Sequence, residues 1–302
     1  MSHRRPLLAF LLLSLVWGSS FLFIKIAVQD LSPLTLVSLR LGLGFLLLAP
    51  VLAWRRDRLP RERRTWIDLA VVGLVGTAIP FTLISWGEQR IDSGLASLLT
   101  STTPLFAVLM ADIWQHDRPV TPGTITGLAG GFVGILVLLG EDVLDGAALN
   151  GLDGQVATIT AAGCYAVSST YIRKRLRHLP PLVLSCGQIL FACLFASIGV
   201  LVLERPATVV TLNLAALASG PVLLSVVWLG LLGSGLAYVL YNTILQEWGA
   251  TRASMVTYLI PIVGLALGVL VLNEALSWRL VAGGLLTIGG TVMVNIKPAA
   301  AG

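Results

Sequence analysis

Two cations sit inside long apolar runs of this chain, Lys25 in WGSSFLFIKIAV and Arg40 in PLTLVSLRLGLG. A charge in such a setting is expensive and faces a partner or a wet cavity, so it is a candidate for binding a ligand of opposite sign. Arg40 could hold a substrate carboxylate, but the favoured reading is structural, with its guanidinium bonded to helix-end carbonyls or an acid near the outer surface. Lys25, closer to the end of its run, is expected to reach out to the interface. Bond-breaking chemistry is poorly supplied. His3, His116 and His178 fall in or beside polar stretches, and neither HExxH nor GxSxG occurs. The GxxxxGK[ST] phosphate cradle is missing too, which argues against an ATP-driven pump within this chain. Cys164, Cys186 and Cys193 lie in apolar runs without metal-ligand spacing and read as small core residues. The residues point to binding rather than catalysis, with no cofactor and no metal.

Such side chains need apolar elements to carry them. Of 302 residues 56% are hydrophobic and only 12% charged, with a mean hydropathy of +0.89. That is about half the charged fraction of a soluble domain. The class is therefore all-α integral membrane. A span needs about 20 mostly apolar residues, and ten stretches qualify: 6–28, 34–54, 66–86, 93–113, 123–140, 153–172, 181–203, 221–244, 251–272 and 278–296. The first continues through WGSSFLFIKIAV without a small-x-small cleavage site and reads as a retained helix. With the amino terminus inside, Arg4, Arg5, the arginines of RRDRLPRERR at 55–64, Arg118, the RKRLRH cluster at 173–178, Arg252 and Lys297 share one side. Only Arg90, Arg205 and Arg279 fall on the other. The bias puts both termini in the cytoplasm and turns RRDRLPRERR from a candidate nucleic-acid patch into an orientation signal. A weak affinity of that loop for anionic lipid heads is compatible with it. Arg40 then lies roughly 10 Å into the second span.

The chain repeats internally. At an offset of 157, Gly73-Leu74 falls on Gly230-Leu231, Gly76 on Gly233, Ala96-Ser97 on Ala253-Ser254, Thr100 on Thr257 and Pro104 on Pro261; at 148, Trp17 falls on Tyr165, Ser20 on Ser168 and Arg40 on Gln188. Two five-helix units are implied, 1–145 and 146–302. Five is odd, so the second unit enters the membrane from the opposite side. Inverted repeats of this kind let a shared midplane site open to either side, an architecture of secondary transporters.

WGSSFLFIKIAV followed by Pro33-Leu34 and Arg40, with TSTTP and TYLIP at matched places in the fourth and ninth spans, resembles the EamA-repeat family of the drug/metabolite transporter superfamily, and within it the bacterial amino-acid exporters. The resemblance implies a ten-helix carrier of the bacterial inner membrane, monomeric or weakly self-associating. It implies a central cavity lined by helices 1, 3, 4, 6, 8 and 9, with the second helix placed away from it. Residues that such a cavity would present are Trp17, Ser19 and Ser20, with counterparts Tyr165, Ser168 and Ser169; Phe81 and Ser85, with Tyr238 and Asn242; and Thr100 and Ser101, with Thr257 and Tyr258. An apolar pocket with a few hydroxyls suits a small amphipathic ligand, an amino acid or related metabolite. For any one of these residues, helix packing is an equal reading. Pro104 and Pro261 are candidate hinges, since proline removes a helical hydrogen bond. The GxxxG spacings at Gly127–Gly131, Gly130–Gly134 and Gly264–Gly268 read as close packing. No acid falls at mid-span, and Glu88, Asp112, Glu247 and Glu274 come nearest. That favours facilitated diffusion, exchange or uniport over proton antiport. A lipid-linked flippase of the same superfamily is the alternative reading.

Overall fold

The computed structural model describes residues 4–115, 122–144, 151–204, 215–253 and 256–295. His3, His116, Arg118, Arg205, Lys297 and the boundary between 145 and 146 lie outside them. The apolar runs become helices, bounded by the chemistry that ends helices. Helix α1 is Arg4–Ala27 and α2 is Pro33–Arg55. Ser32 starts α2 by accepting a bond from the amide of Thr35, with Pro33 at the first turn where its missing N–H is no loss. The next run is broken. Helix α3 (Arg63–Gly73) widens into a π-helical segment at Leu74–Ala78 before α4 (Ile79–Gly87) resumes. Helices α5 (Ser93–Thr100) and α6 (Thr103–Gln115) follow, then α7 (Pro122–Leu144) and α8 (Leu152–Tyr171), which runs on into a second π segment at Ile172–Leu176. Helix α9 is Pro181–Leu203. Helix α10 (Gly220–Val227) passes through a third π segment, Trp228–Leu236, into α11 (Ala237–Ala253). Helices α12 (Val256–Leu272) and α13 (Trp278–Asn295) complete the described chain.

Among the described residues six helical rods are long and apolar enough to cross a membrane: Leu7–Ala27, Pro33–Arg55, Arg63–Gly87, Ser93–Met110, Pro181–Leu203 and Gly220–Ile244. Gly123–Leu139, Val256–Leu272 and Trp278–Val294 are shorter apolar helices.

The halves are interleaved. Helix α2 packs on α9, α4 on α8, α1 on α12 and α7 on α13, so most large contacts join the first half of the chain to the second. Glycine sets the closest of these. On α7, Gly127 and Gly131 face Gly290 of α13, and Gly134 faces Thr287 and Gly283. Of the sequence-predicted GxxxG positions, Gly130 alone meets open space, while Gly264 lies against Ser97 and Gly268 against Glu274 and Ser93.

One end of the bundle is laced together by polar bonds. Arg90 bridges to Asp153 at 2.9 Å. Both carboxylate oxygens of Glu204 accept, from Ser32 Oγ and Thr35 Oγ1. Asp92 at the start of α5 makes no capping bond with its side chain. Glu274, from the far half, supplies the carboxylate instead and takes the amides of Ser93 at 2.7 Å and Gly94 at 2.9 Å, the favourable place for an anion. Lys25 does not reach outward as expected: its ammonium donates to the carbonyls of Glu88 and Ile91 at 2.7 and 2.8 Å. Carbonyls left open where α4 ends attract a cation more strongly than the interface does.

Candidate functional site

Two of the π segments occupy the same place in the 157-residue repeat. Each carries one buried hydroxyl, Thr77 in the first half and Ser234 in the second. A π turn loosens the backbone ladder and re-aims its side chains. The close approaches beside these turns match as well: Ser168 lies against Gly76, and Ser20 against Gly233. Any larger residue at either glycine would close the gap.

Each hydroxyl is met from the other half. Arg40, on α2, donates from Nε to Ser234 Oγ at 3.2 Å. Gln188, on α9 at the repeat position of Arg40, donates from Nε2 to Thr77 Oγ1 at 2.9 Å. A contact and its repeat counterpart thus exchange halves, the pattern a two-fold axis between them produces. Thr77 also shares a hydrogen bond with the hydroxyl of Tyr238, 3.0 Å away. The second helix was expected to stand away from the cavity, with Arg40 satisfied by helix-end carbonyls or an acid. Here Arg40 is 2% exposed, is held by a serine, and lies with its guanidinium carbon 4.0 Å from the centre of the Phe81 ring. Neither Arg55–Asp57 nor Arg90–Asp153 involves Arg40, which has no ion pair among the described residues.

Around this crossing the aromatic residues collect. Phe81 and Tyr238, equivalent in the two halves, meet edge to face with ring centres 6.3 Å apart. Trp17 packs against Tyr238 at 6.2 Å and Tyr241 at 5.2 Å, and its indole N–H donates to the carbonyl of Gly233. Tyr165 packs among the same apolar side chains, half-buried. Ser19 accepts from the indole of Trp228 and, like Ser20, closes its own hydroxyl on the carbonyl of Val16. A second equivalent pair flanks the crossing. Ser85 is buried with its hydroxyl unpartnered, and Asn242 donates to Ser185 Oγ at 2.7 Å while its Oδ1 has no partner.

The remaining expected residues are tied elsewhere. Thr100 and Ser101 close their hydroxyls on carbonyls of α5, Ser169 closes on Ala166, and Tyr258 donates to the carbonyl of Thr291 on α13. Thr257 is half-buried on α12. The two prolines differ in setting. Pro261 lies inside α12. Pro104 is the second residue of α6, just past a break at Ser101–Thr102, where its missing N–H breaks no helical bond. A separate apolar groove of about 440 Å³ lies at the arginine-rich end, between α2, α3 and α9, lined by Phe45, Leu52, Trp66, Leu69 and Val183 among others. None of the expected site residues lines it.

Nothing local in the sequence singles out Thr77 and Ser234, although the 157 offset superimposes them. They sit in the glycine-rich stretches GLVGTA and GLLGSGLA, which read locally as packing surface.

Apolar helices in two equivalent sets, meeting around buried polar and aromatic side chains, define a polytopic membrane protein of transporter type. The EamA-like transporter family model matches residues 4–140 and 153–296. The chain therefore belongs to that family, within the drug/metabolite transporter superfamily, and carries two copies of its repeat. It is similar to the "Probable amino-acid metabolite efflux pump" of Escherichia coli strain K12, 28% identical with 98% of this chain and 96% of that protein covered. It is 27% identical to the "Probable terminal-alkyne amino-acid exporter" of Streptantibioticus cattleyicolor, with 98% and 95% covered. The "Uncharacterized transporter YoaV" of Bacillus subtilis is 23% identical over 96% of each chain. A solved crystal structure, 20% identical, superposes with a TM-score of 0.68 over 97% of this chain and 96% of the other, a likeness of fold.

Proposed function

We propose that this chain is a secondary transporter exporting an amino acid or related small metabolite by alternating access. In this reading it has ten spans, halves 1–145 and 146–302 of opposite orientation, and both termini in the cytoplasm of a bacterium whose inner membrane it crosses. The observation that carries the reading is Arg40. It is a buried cation without an acid in ion-pair range among the described residues, stacked on Phe81 and bonded to Ser234 where the halves cross. Placing a charge at mid-membrane costs about 2.5–3.5 kcal/mol on insertion scales. A carboxylate offered by a substrate offsets that cost, and Arg presents a planar fork suited to it. Trp17, Phe81, Tyr165 and Tyr238 supply the apolar wall for the rest of the ligand. The names of two relatives, an amino-acid metabolite efflux pump and an amino-acid exporter, point to the same substrate class.

Counterflow tests it. Proteoliposomes holding the protein, loaded with one unlabelled amino acid at a time, should accumulate the same labelled amino acid for at least one member of a panel. Absence of accumulation for all of them, with transfer of a labelled lipid between leaflets instead, would replace the carrier by a flippase.

A further inference from the structure

Glu88 is the one carboxylate of the described residues that is wholly buried and has neither oxygen hydrogen-bonded. It follows α4, at the laced end of the bundle, and its own backbone is engaged on both sides: its N–H bonds to Ile84 and its carbonyl accepts from Lys25. The charged groups acting on the carboxyl come from three elements. They are Lys25 on α1, Arg40 on α2 and Glu274 from the segment ahead of α13. Helix α8, which packs its Gly154 against Gly87, adds Asp153, already paired with Arg90. Lys25 is the natural partner for a carboxylate here, yet two of its three donors go to backbone carbonyls and none reaches the Glu88 carboxylate. Glu274 is equally committed, to the amides that open α5.

Burying an ionised carboxylate without a donor is expensive even after the surroundings relax. A neutral carboxyl group in the same place costs far less. Ionisation in place would therefore pull Lys25 off the carbonyls of Glu88 and Ile91, loosening the turn that Glu274 caps, or would open this end to water. We propose that Glu88 is a proton-binding site, filled while the Lys25–Glu274 end is closed and emptied when that end opens. Proton binding is thereby coupled to the transport cycle. The inference rests on the alternating-access reading above. It also revises the expectation against proton antiport, which rested on no acid falling at mid-span: Glu88 lies near a helix end, but packing across the halves removes it from water.

The sign follows from which state holds the proton. The closed end binds it, so closure strengthens as pH falls and weakens as pH rises. Hydrogen exchange at the Ser93 and Gly94 amides reads closure directly, without any substrate. After correction for intrinsic exchange, one linked proton changes their protection by up to about tenfold per pH unit. The wild-type chain should show that slope, and Glu88→Gln should show none. In proteoliposomes one-for-one exchange against one pH unit should drive up to about tenfold accumulation, absent in Glu88→Gln although gradient-free counterflow persists. Should Glu88→Gln not fold, Glu88→Asp serves, since its shorter arm must move the midpoint of the slope. A flat wild-type profile, an unshifted Glu88→Asp midpoint, or a slope retained in Glu88→Gln overturns the proposal. Counterflow failing for every amino acid would sink the substrate reading, and the exchange profile would still decide the proton site.

Discussion

Removing the Arg40 guanidinium separates a ligand-binding residue from a helix-packing one, because the two roles differ in magnitude. Its bond to Ser234 is an interhelical hydrogen bond of the kind that averages about 0.6 kcal/mol in membrane proteins. A charge-assisted bond to a ligand is worth about 1.5–3 kcal/mol, roughly ten- to hundredfold in apparent affinity. Arg40→Ala should therefore lower counterflow affinity by that larger factor while thermal unfolding in detergent shifts little. Arg40→Lys should recover part of it, since an ammonium keeps the charge but not the planar face lying on Phe81. Ser234→Ala is the companion measurement: a fall in affinity as large as that of Arg40→Ala would mean the bond positions the arginine rather than merely joining two helices. Trp17→Ala and Tyr238→Ala should weaken transport in folded protein. Transport unchanged in both would remove the aromatic wall from the site.

At the scale of elements, the seam between α7 and α13 makes a sharper stability prediction than any single polar bond. A methyl added at Gly290 would be driven into the backbone of Gly131 and Gly127, which cannot yield as a flexible side chain can. Overpacking of this kind costs about 1–3 kcal/mol. Gly290→Ala should thus lower the unfolding temperature clearly, whereas Gly130→Ala, facing open space, should leave it unchanged; equal shifts would show that the helices do not meet on this face. The GxxxG pattern pointed to the seam but not to which glycines form it. What could be read from the chain was whatever depends on run length and repetition: apolar stretches long enough to span, and the offsets that align one half with the other. The π segments were not readable, because α and π turns draw on the same residues and the choice rests on Ser168 fitting against Gly76 and Ser20 against Gly233 from distant helices. The partner of Arg40 was not readable for the same reason. Ser234 is 194 residues away, and nothing near Arg40 names it.

For the whole molecule, alternating access requires that the laced end come apart once per cycle. Among the described residues this end is held by Arg90–Asp153, by Glu204 on Ser32 and Thr35, by Lys25 on the end of α4 and by Glu274 on α5, each joining elements that the repeat assigns to different halves or different spans. The Arg90–Asp153 bridge is partly exposed, and such pairs contribute about 0–1 kcal/mol. Cysteines can therefore replace both residues, in a background lacking Cys164, Cys186 and Cys193, with transport expected to stay near its starting level. Joining the two thiols with a short cleavable reagent converts a weak latch into a permanent one. Counterflow should then fall to background and return when the spacer is cut, while each single cysteine treated alone stays active. Full activity with the bridge intact would mean that the α4–α5 turn and the start of α8 never separate, and a rocking of one half against the other could not be how this chain moves its substrate.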